Sequence, residues 1–232
     1  VARVSTAVHA PPSARRGAAD ALAAEYLAAV STGDRRTAFG VVDRALAGGM
    51  DVRGLYLDVF QPALVEIGRL WQRNAITVAD EHLATAITQA AMARLYERLF
   101  QSATGDGPLL VAACVDSERH DVGLRMLCDI LELDGWDTVY LGSAVPMDHL
   151  VRMVCQRHPD AVALSASLAP HLGRVEETVR AIRAACGTRQ PVIAVGGRPF
   201  AADPELAARV GADLTADDAD EAARRLNERF AR

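Results

Sequence analysis

The sequence has no lysine: all 25 of its basic side chains are arginine. With the abundance of alanine, this is a bias of genome composition and not a mark of function. The arginines are scattered, acidic residues number 30, and the formal net charge is −5. That balance lacks the clustered positive charge on which direct nucleic-acid binding depends, so no nucleic-acid contact is expected. Cysteine is sparse. Cys114, Cys128, Cys155 and Cys186 stand far apart with no C-x-x-C pair. They read as reduced core thiols of a cytoplasmic protein, not as a disulfide framework. No apolar run approaches the roughly 18 residues of a membrane span. The first 16 residues, VARVSTAVHAPPSARR, lack the apolar core of a secretion signal and read as a disordered lead-in.

What is present falls into two halves with different periods. Residues 17–101 read as helices only. GAADALAAEYLAAVST is an alanine–leucine helix ended by Gly33. Asp34 is a good N-cap for a second helix that runs to Gly48-Gly49. Asp51 caps a third, VRGLYLDVFQPALVEIGRLWQR, in which Pro62 removes a backbone donor and predicts a kink. Thr77 or Asp80 opens a fourth, VADEHLATAITQAAMARLYERLF. Four helices with short connections predict an antiparallel bundle over 17–101.

A linker over 102–108 separates this half from an alternation of strands and helices. LLVAACV, TVYLG, AVALSA, VIAVGG and ADL read as strands. The helices between and after them read as 121–134, 147–157, 171–186, a short one near 204–209, and 217–231. Strand-then-helix five times over predicts an α/β domain across 109–232, Rossmann-like or flavodoxin-like, with a five-stranded parallel sheet. Such sheets bind ligands at the carboxyl ends of their strands. Trp136 and Tyr140, beside the second strand, are expected to pack. His149, His158 and His171 read as surface residues, and the charged C-terminal helix as a solvated face.

The unusual residues gather at that carboxyl edge. Glu118, His120 and Gly123 follow the first strand, Ser165 and Ser167 end the third, and Gly196-Gly197 end the fourth. A histidine or a glycine pair after a strand is, taken singly, an ordinary loop feature. The order and spacing say more: 41 residues lie between Gly123 and Ser165, and 28 between Ser167 and Gly196. This pattern resembles the cobalamin-binding module of methionine synthase, methylmalonyl-CoA mutase and corrinoid proteins. That family's signature is Asp/Glu-x-His-x-x-Gly, then Ser-x-Leu, then Gly-Gly. The resemblance implies that His120 is the lower axial ligand of cobalt and that Glu118 orients it through its other ring nitrogen. It implies that Gly123, Ser165, Gly196 and Gly197 accommodate the nucleotide tail. The family's Ser-x-Leu reads Ser165-Ala166-Ser167 here, with Leu168 one place late. Either serine could therefore contact the tail.

The helical half carries WQRNAITVADEH, in which nine residues separate Trp71 from Glu81-His82. This is similar to the Trp-x9-Glu-His signature of CarH-type photoreceptors, which bind 5′-deoxyadenosylcobalamin. The resemblance implies that Trp71 packs on the adenosyl group, that Glu81 anchors it, and that His82 lies nearby on the upper face. It implies a light sensor rather than an enzyme: light breaks the cobalt–carbon bond, and the cap then shifts. There are two departures. No helix-turn-helix region precedes the cap in this sequence, so output is expected through a protein partner or through a homo-oligomer. The residue after the tryptophan is Gln72 where the relatives have a histidine that ligates cobalt after illumination, which leaves His82 as a substitute.

Two rivals share these residues. A corrinoid methyl-carrier protein would use the same His120 but has no need of an adenosyl anchor. A stand-alone sensor of this kind could also hold a bilin such as biliverdin beside the cobalamin, with arginines pairing its propionates. A flavodoxin-like module for FMN would leave Glu118 and His120 without a task.

Overall fold

Pro12 opens the first helix, α1 (Pro12–Ser31), where a missing backbone donor costs nothing. The structure, a computed structural model, describes residues 12–100 and 107–231. The expected lead-in over 1–16 is therefore corrected from Pro12 onward, where the chain is helical; its earlier part lies outside the described residues, as do residue 101 and residues 102–106 of the expected linker. The chain divides after Leu95 into two compact units.

In the first unit, Gly33 (φ +73°) ends α1, and Asp34 caps α2 (Arg35–Ala47) by accepting the Thr37 N–H at 3.0 Å. Asp51 caps α3 (Val52–Gly54) through the Gly54 N–H at 2.7 Å. The chain then widens into a π turn over Leu55–Phe60 before α4 (Gln61–Gln72) resumes. This is how the sequence accommodates Pro62. The Gln61 N–H reaches back five residues to the Tyr56 carbonyl, and the proline falls in the first turn of the segment that follows. The expected kink is thus a π turn, a common device where the i→i−4 ladder is interrupted. It also turns Leu55, Tyr56, Val59 and Phe60 wholly into the core. Phe60 meets the Tyr26 ring of α1 at 4.9 Å. The Tyr26 hydroxyl donates to Thr88 Oγ1 at 3.0 Å, tying α1 to the last helix of the unit, α5 (Val78–Phe100). Burial pushes the Tyr26 phenol up to about 12.

The second unit alternates β1 (Leu109–Cys114), α6 (Val122–Leu133), β2 (Asp137–Tyr140), α7 (Met147–Arg157), β3 (Ala161–Ser165), α8 (Leu172–Ala185) and β4 (Val192–Gly196). Two short helices, α9 (Arg198–Ala202) and α10 (Glu205–Arg209), precede β5 (Leu214–Thr215) and α11 (Ala219–Phe230). The sheet is wholly parallel, in the order β2-β1-β3-β4-β5. Val111 and Ala113 of β1, with Val115 just beyond it, pack in one core with Leu150 and Val154 of α7 and with Val175 and Ile182 of α8. The alternate residues turn to the other face, toward α6. The C-terminal helix is more than a solvated face: Phe230 meets the buried Trp136 edge-on at 5.2 Å, and Asn227 accepts the indole N–H at 2.7 Å.

All four cysteines are free. Cys114 and Cys128 are buried as expected, but Cys155 and Cys186 are only half-buried, because both lie at the far ends of their helices. Among the described residues, no helix is long and apolar enough to cross a membrane.

Candidate functional site

With order 2-1-3-4-5 the sheet reverses direction of winding between β1 and β3, which is where ligands enter such folds. The register aligns the site there: Cys114, Ser165 and Gly196 are paired in one row across the three central strands β1, β3 and β4. The loop after β1 is held in an unusual path. Ser117 has left-handed backbone (φ +70°), and so does Ala144 (φ +53°) in the loop after β2, whose N–H donates to the Glu118 carbonyl at 2.8 Å. Two non-glycine residues held this way are costly and persist only where the surroundings impose them.

The result is to drive the Glu118 side chain into the protein, where it is fully buried. Its Oε1 accepts the backbone N–H groups of Arg119 and His120, each at 2.9 Å, and faces the His120 Nδ1 at 2.5 Å. Its Oε2 accepts the Ser167 N–H at 2.6 Å and faces the His171 Nδ1 at 2.9 Å. Burial alone would raise the Glu118 carboxyl. The hydrogen bonds from His120, His171 and Ser167 together outweigh it and hold the group far below the usual carboxylate range. Glu118 is therefore an anion that can only accept, and both imidazoles present Nδ1–H to it. In neutral His120 that leaves Nε2 as the nitrogen with the lone pair, on a ring that is 42% exposed.

Neighbouring groups fix the rest of the loop. The Cys114 thiol donates to the His120 carbonyl at 3.6 Å, and burial pushes that thiol up to about 12, so it stays protonated. Burial and the adjacent Asp121 carboxylate raise the Tyr140 hydroxyl well above its usual range.

The sequence-derived residues separate into three groups. Glu118, His120 and Ser167 are brought together, Ser167 through its backbone. Ser165 is buried and hydrogen-bonded to the Cys114 thiol. Gly123 and Gly196 border open space, since a Cβ on either would meet nothing within 4 Å. Gly197 differs from its neighbour. It has φ +114°, and a Cβ there would lie 2.1 Å from the Ala166 carbonyl oxygen. The close approach of two backbone segments already requires it to lack a side chain, whatever else the position does. Trp71, Glu81 and His82 belong to the first unit. Trp71 is in the last turn of α4 and half-buried; Glu81 is in the first turn of α5. The turn between them closes with the Asn74 N–H on the Trp71 carbonyl, and Thr77 and Asp80 cap α5 reciprocally. Glu81 Oε1 accepts from Thr85 at 3.0 Å, and its Oε2 lies 3.5 Å from the His82 ring.

His171 is the residue that sequence reasoning missed. It was expected at the surface, but its side chain is only 18% exposed and sits on Glu118. The helical turn at Ala169–His171, opened by Pro170, folds it back over the end of β3. The signal was available: His171 follows β3 at the same carboxyl edge that singled out His120.

Two imidazoles share one buried carboxylate, and the more exposed of them, His120, is oriented by it as the carboxylate behind a metal site orients a ligating histidine, beside two glycines that leave open space. The profile of a family described as the B12 binding domain matches residues 108–226. The chain belongs to the B12-binding family. A second profile of the same description matches residues 22–96, in the helical unit. Among relatives, the HTH-type transcriptional repressor CarH of Myxococcus xanthus is 32% identical over 171 residues, covering 74% of this chain and 56% of the repressor. The chain thus spans little more than half the length of that relative. Dimethylamine corrinoid protein 1 of Methanosarcina acetivorans is 26% identical over 192 residues, covering 82% of this chain and 83% of its own. In fold, the chain is similar to the monomethylamine corrinoid protein of Methanosarcina barkeri, with a TM-score of 0.79 over 90% of this chain and 98% of the other at 19% identity. Membership of this family and the likeness to a corrinoid protein support binding of a cobalamin or related corrinoid by this chain.

Proposed function

We propose that the chain is an adenosylcobalamin-dependent light sensor in which His120 is the lower ligand of cobalt. The observation that carries the cobalt assignment is the 2.5 Å contact of His120 Nδ1 with the buried Glu118, which reserves Nε2 for the metal. Gly123 and Gly196 leave room for the nucleotide tail, and Ser165 lies in the same row of the sheet. When bound, adenosylcobalamin supplies a cobalt–carbon bond that absorbs visible light and breaks. The chain's own residues select that form. Trp71, at the end of α4, offers an aromatic face that is only half-buried, and Glu81, in the first turn of α5, offers a carboxylate across the connecting turn. Their roles as adenosyl plate and anchor are supported by the likeness to CarH. Gln72 is exposed and brings no imidazole, whereas His82, 65% exposed, is the next histidine along the sequence. Loss of the adenosyl group then changes how the helical unit packs, and the output is a change in self-association or in binding to a protein partner. No catalysis is assigned to the chain.

A second reading has its own support: the dimethylamine corrinoid protein matches over more than four fifths of both chains. It makes the chain a carrier of a methyl group between enzymes. The two readings part at Trp71 and Glu81. Equilibrium binding of adenosylcobalamin and methylcobalamin to wild type, Trp71→Ala and Glu81→Ala separates them. The sensor reading expects wild type to favour the adenosyl form and both variants to lose that preference. Binding of methylcobalamin alone, unchanged in the variants, would establish the carrier. A bilin would be seen as added red absorbance after incubation with biliverdin.

A further inference from the structure

The Glu118 carboxylate serves five donors: the N–H groups of Arg119, His120 and Ser167 and the Nδ1–H groups of His120 and His171. A carboxylate has about four lone-pair directions, so the donors share a limited supply of negative charge. The sharing is unequal by oxygen. Oε1 faces the axial imidazole and two backbone N–H groups; Oε2 faces His171 and the Ser167 N–H alone. Fully enclosed, the carboxylate has no solvent to make up a donor that is removed.

We propose that His171 is a positioning residue for the lower ligand: by taking part of the Glu118 charge on Oε2, it limits how strongly Glu118 polarises His120, and so how strongly His120 Nε2 donates to cobalt. This rests on the reading of His120 as the ligand. A carboxylate hydrogen-bonded to one ring nitrogen raises the basicity of the other. A second imidazole on the far oxygen works against that increase. The geometry suits a fixed counterweight. His171 is 18% exposed and held at the foot of α8 by the turn at Ala169–His171, so it does not leave Glu118 without moving that turn.

The test uses the Co(II) form of cobalamin bound to the full chain, read by electron paramagnetic resonance. The cobalt hyperfine splitting falls as the axial nitrogen donates more strongly. Four proteins are compared: wild type, His120→Ala, His171→Phe and His171→Asn. Phe keeps a ring and removes the donor; Asn places an amide N–H where Nδ1 was. The expected result is a narrower splitting in His171→Phe than in wild type and a return to the wild-type value in His171→Asn. A splitting unchanged or widened in His171→Phe would overturn the proposal, since His171 would then serve only to pack or to hold the carboxylate in place. If the Phe variant does not fold, His171→Leu is read in the same way. Failure of the underlying reading looks different: nitrogen coupling would be missing from wild type or would survive in His120→Ala.

Discussion

Gly197 lies so close to Ala166 that a Cβ on the glycine would come within 2.1 Å of the alanine's carbonyl oxygen. Its neighbour Gly196 borders open space, although it stands in the same row of the sheet as Ser165. Two adjacent glycines therefore have different reasons to be glycine. Gly197→Ala is expected to destabilise the second unit by about 3 kcal/mol, from strained backbone and a clash between main chains. Gly196→Ala is expected to leave the urea midpoint near that of wild type and to weaken cobalamin binding. Chemical denaturation of both variants, with a cobalamin titration of the folded one, checks the pair. Equal destabilisation by both would contradict the distinction.

The Glu118 carboxylate should be visible in the pH dependence of stability. Its folded value lies far below that of an unfolded glutamate, so the folded chain favours the anion. The stabilisation is complete above the unfolded value of about 4.3 and is lost as pH falls from there through the folded value. Glu118→Gln removes it. The stability difference between wild type and Glu118→Gln is expected to be flat near neutrality and to shrink on acidification below about pH 4. Glu118→Ala, which strands the Ser167 N–H and the His171 ring, is expected to cost about 2–3 kcal/mol at pH 7. Denaturation curves at a series of pH values decide this; a difference that grows on acidification would reverse the sign and refute it.

The helical unit offers a test that does not involve the cofactor. Tyr26 is fully buried, and its hydroxyl donates to Thr88, which itself donates to the Ala84 carbonyl at 3.0 Å. Tyr26→Phe removes the donor and leaves Thr88 its own bond. The expected loss is about 1 kcal/mol in a urea melt. The phenol of wild type should titrate only near pH 12, followed by absorbance at alkaline pH.

Much of this was legible in the residues because it depended on local chemistry. Asp34 and Asp51 have few other uses at a helix start, and both cap as their sequence context indicates. Short continuous apolar runs such as LLVAACV and AVALSA, alternating with helical stretches, read as strands of a covered parallel sheet. The pairing of Glu118 with His120 was implied by the resemblance of their motif to the cobalamin-binding module. The misses were relations set by tertiary structure. Pro62 signalled an interrupted helix, but whether the interruption becomes a bend or a π turn depends on which faces of Tyr56 and Phe60 the core accepts. His171 lies 53 residues from Glu118 in sequence, so their contact follows from the pairing of β1 with β3 and not from any local pattern. The reason for Gly197 lay in the approach of Ala166, which no spacing reveals.

The central claim is that this chain binds adenosylcobalamin with His120 beneath the cobalt and responds to light. The most direct measurement is the absorption spectrum of the reconstituted protein, recorded in the dark and again after green light, for wild type and His120→Ala. The account predicts an alkylcobalamin spectrum in the dark that converts on illumination, with altered ligation in the variant. A dark spectrum unchanged by His120→Ala, or one that light does not convert, would contradict it.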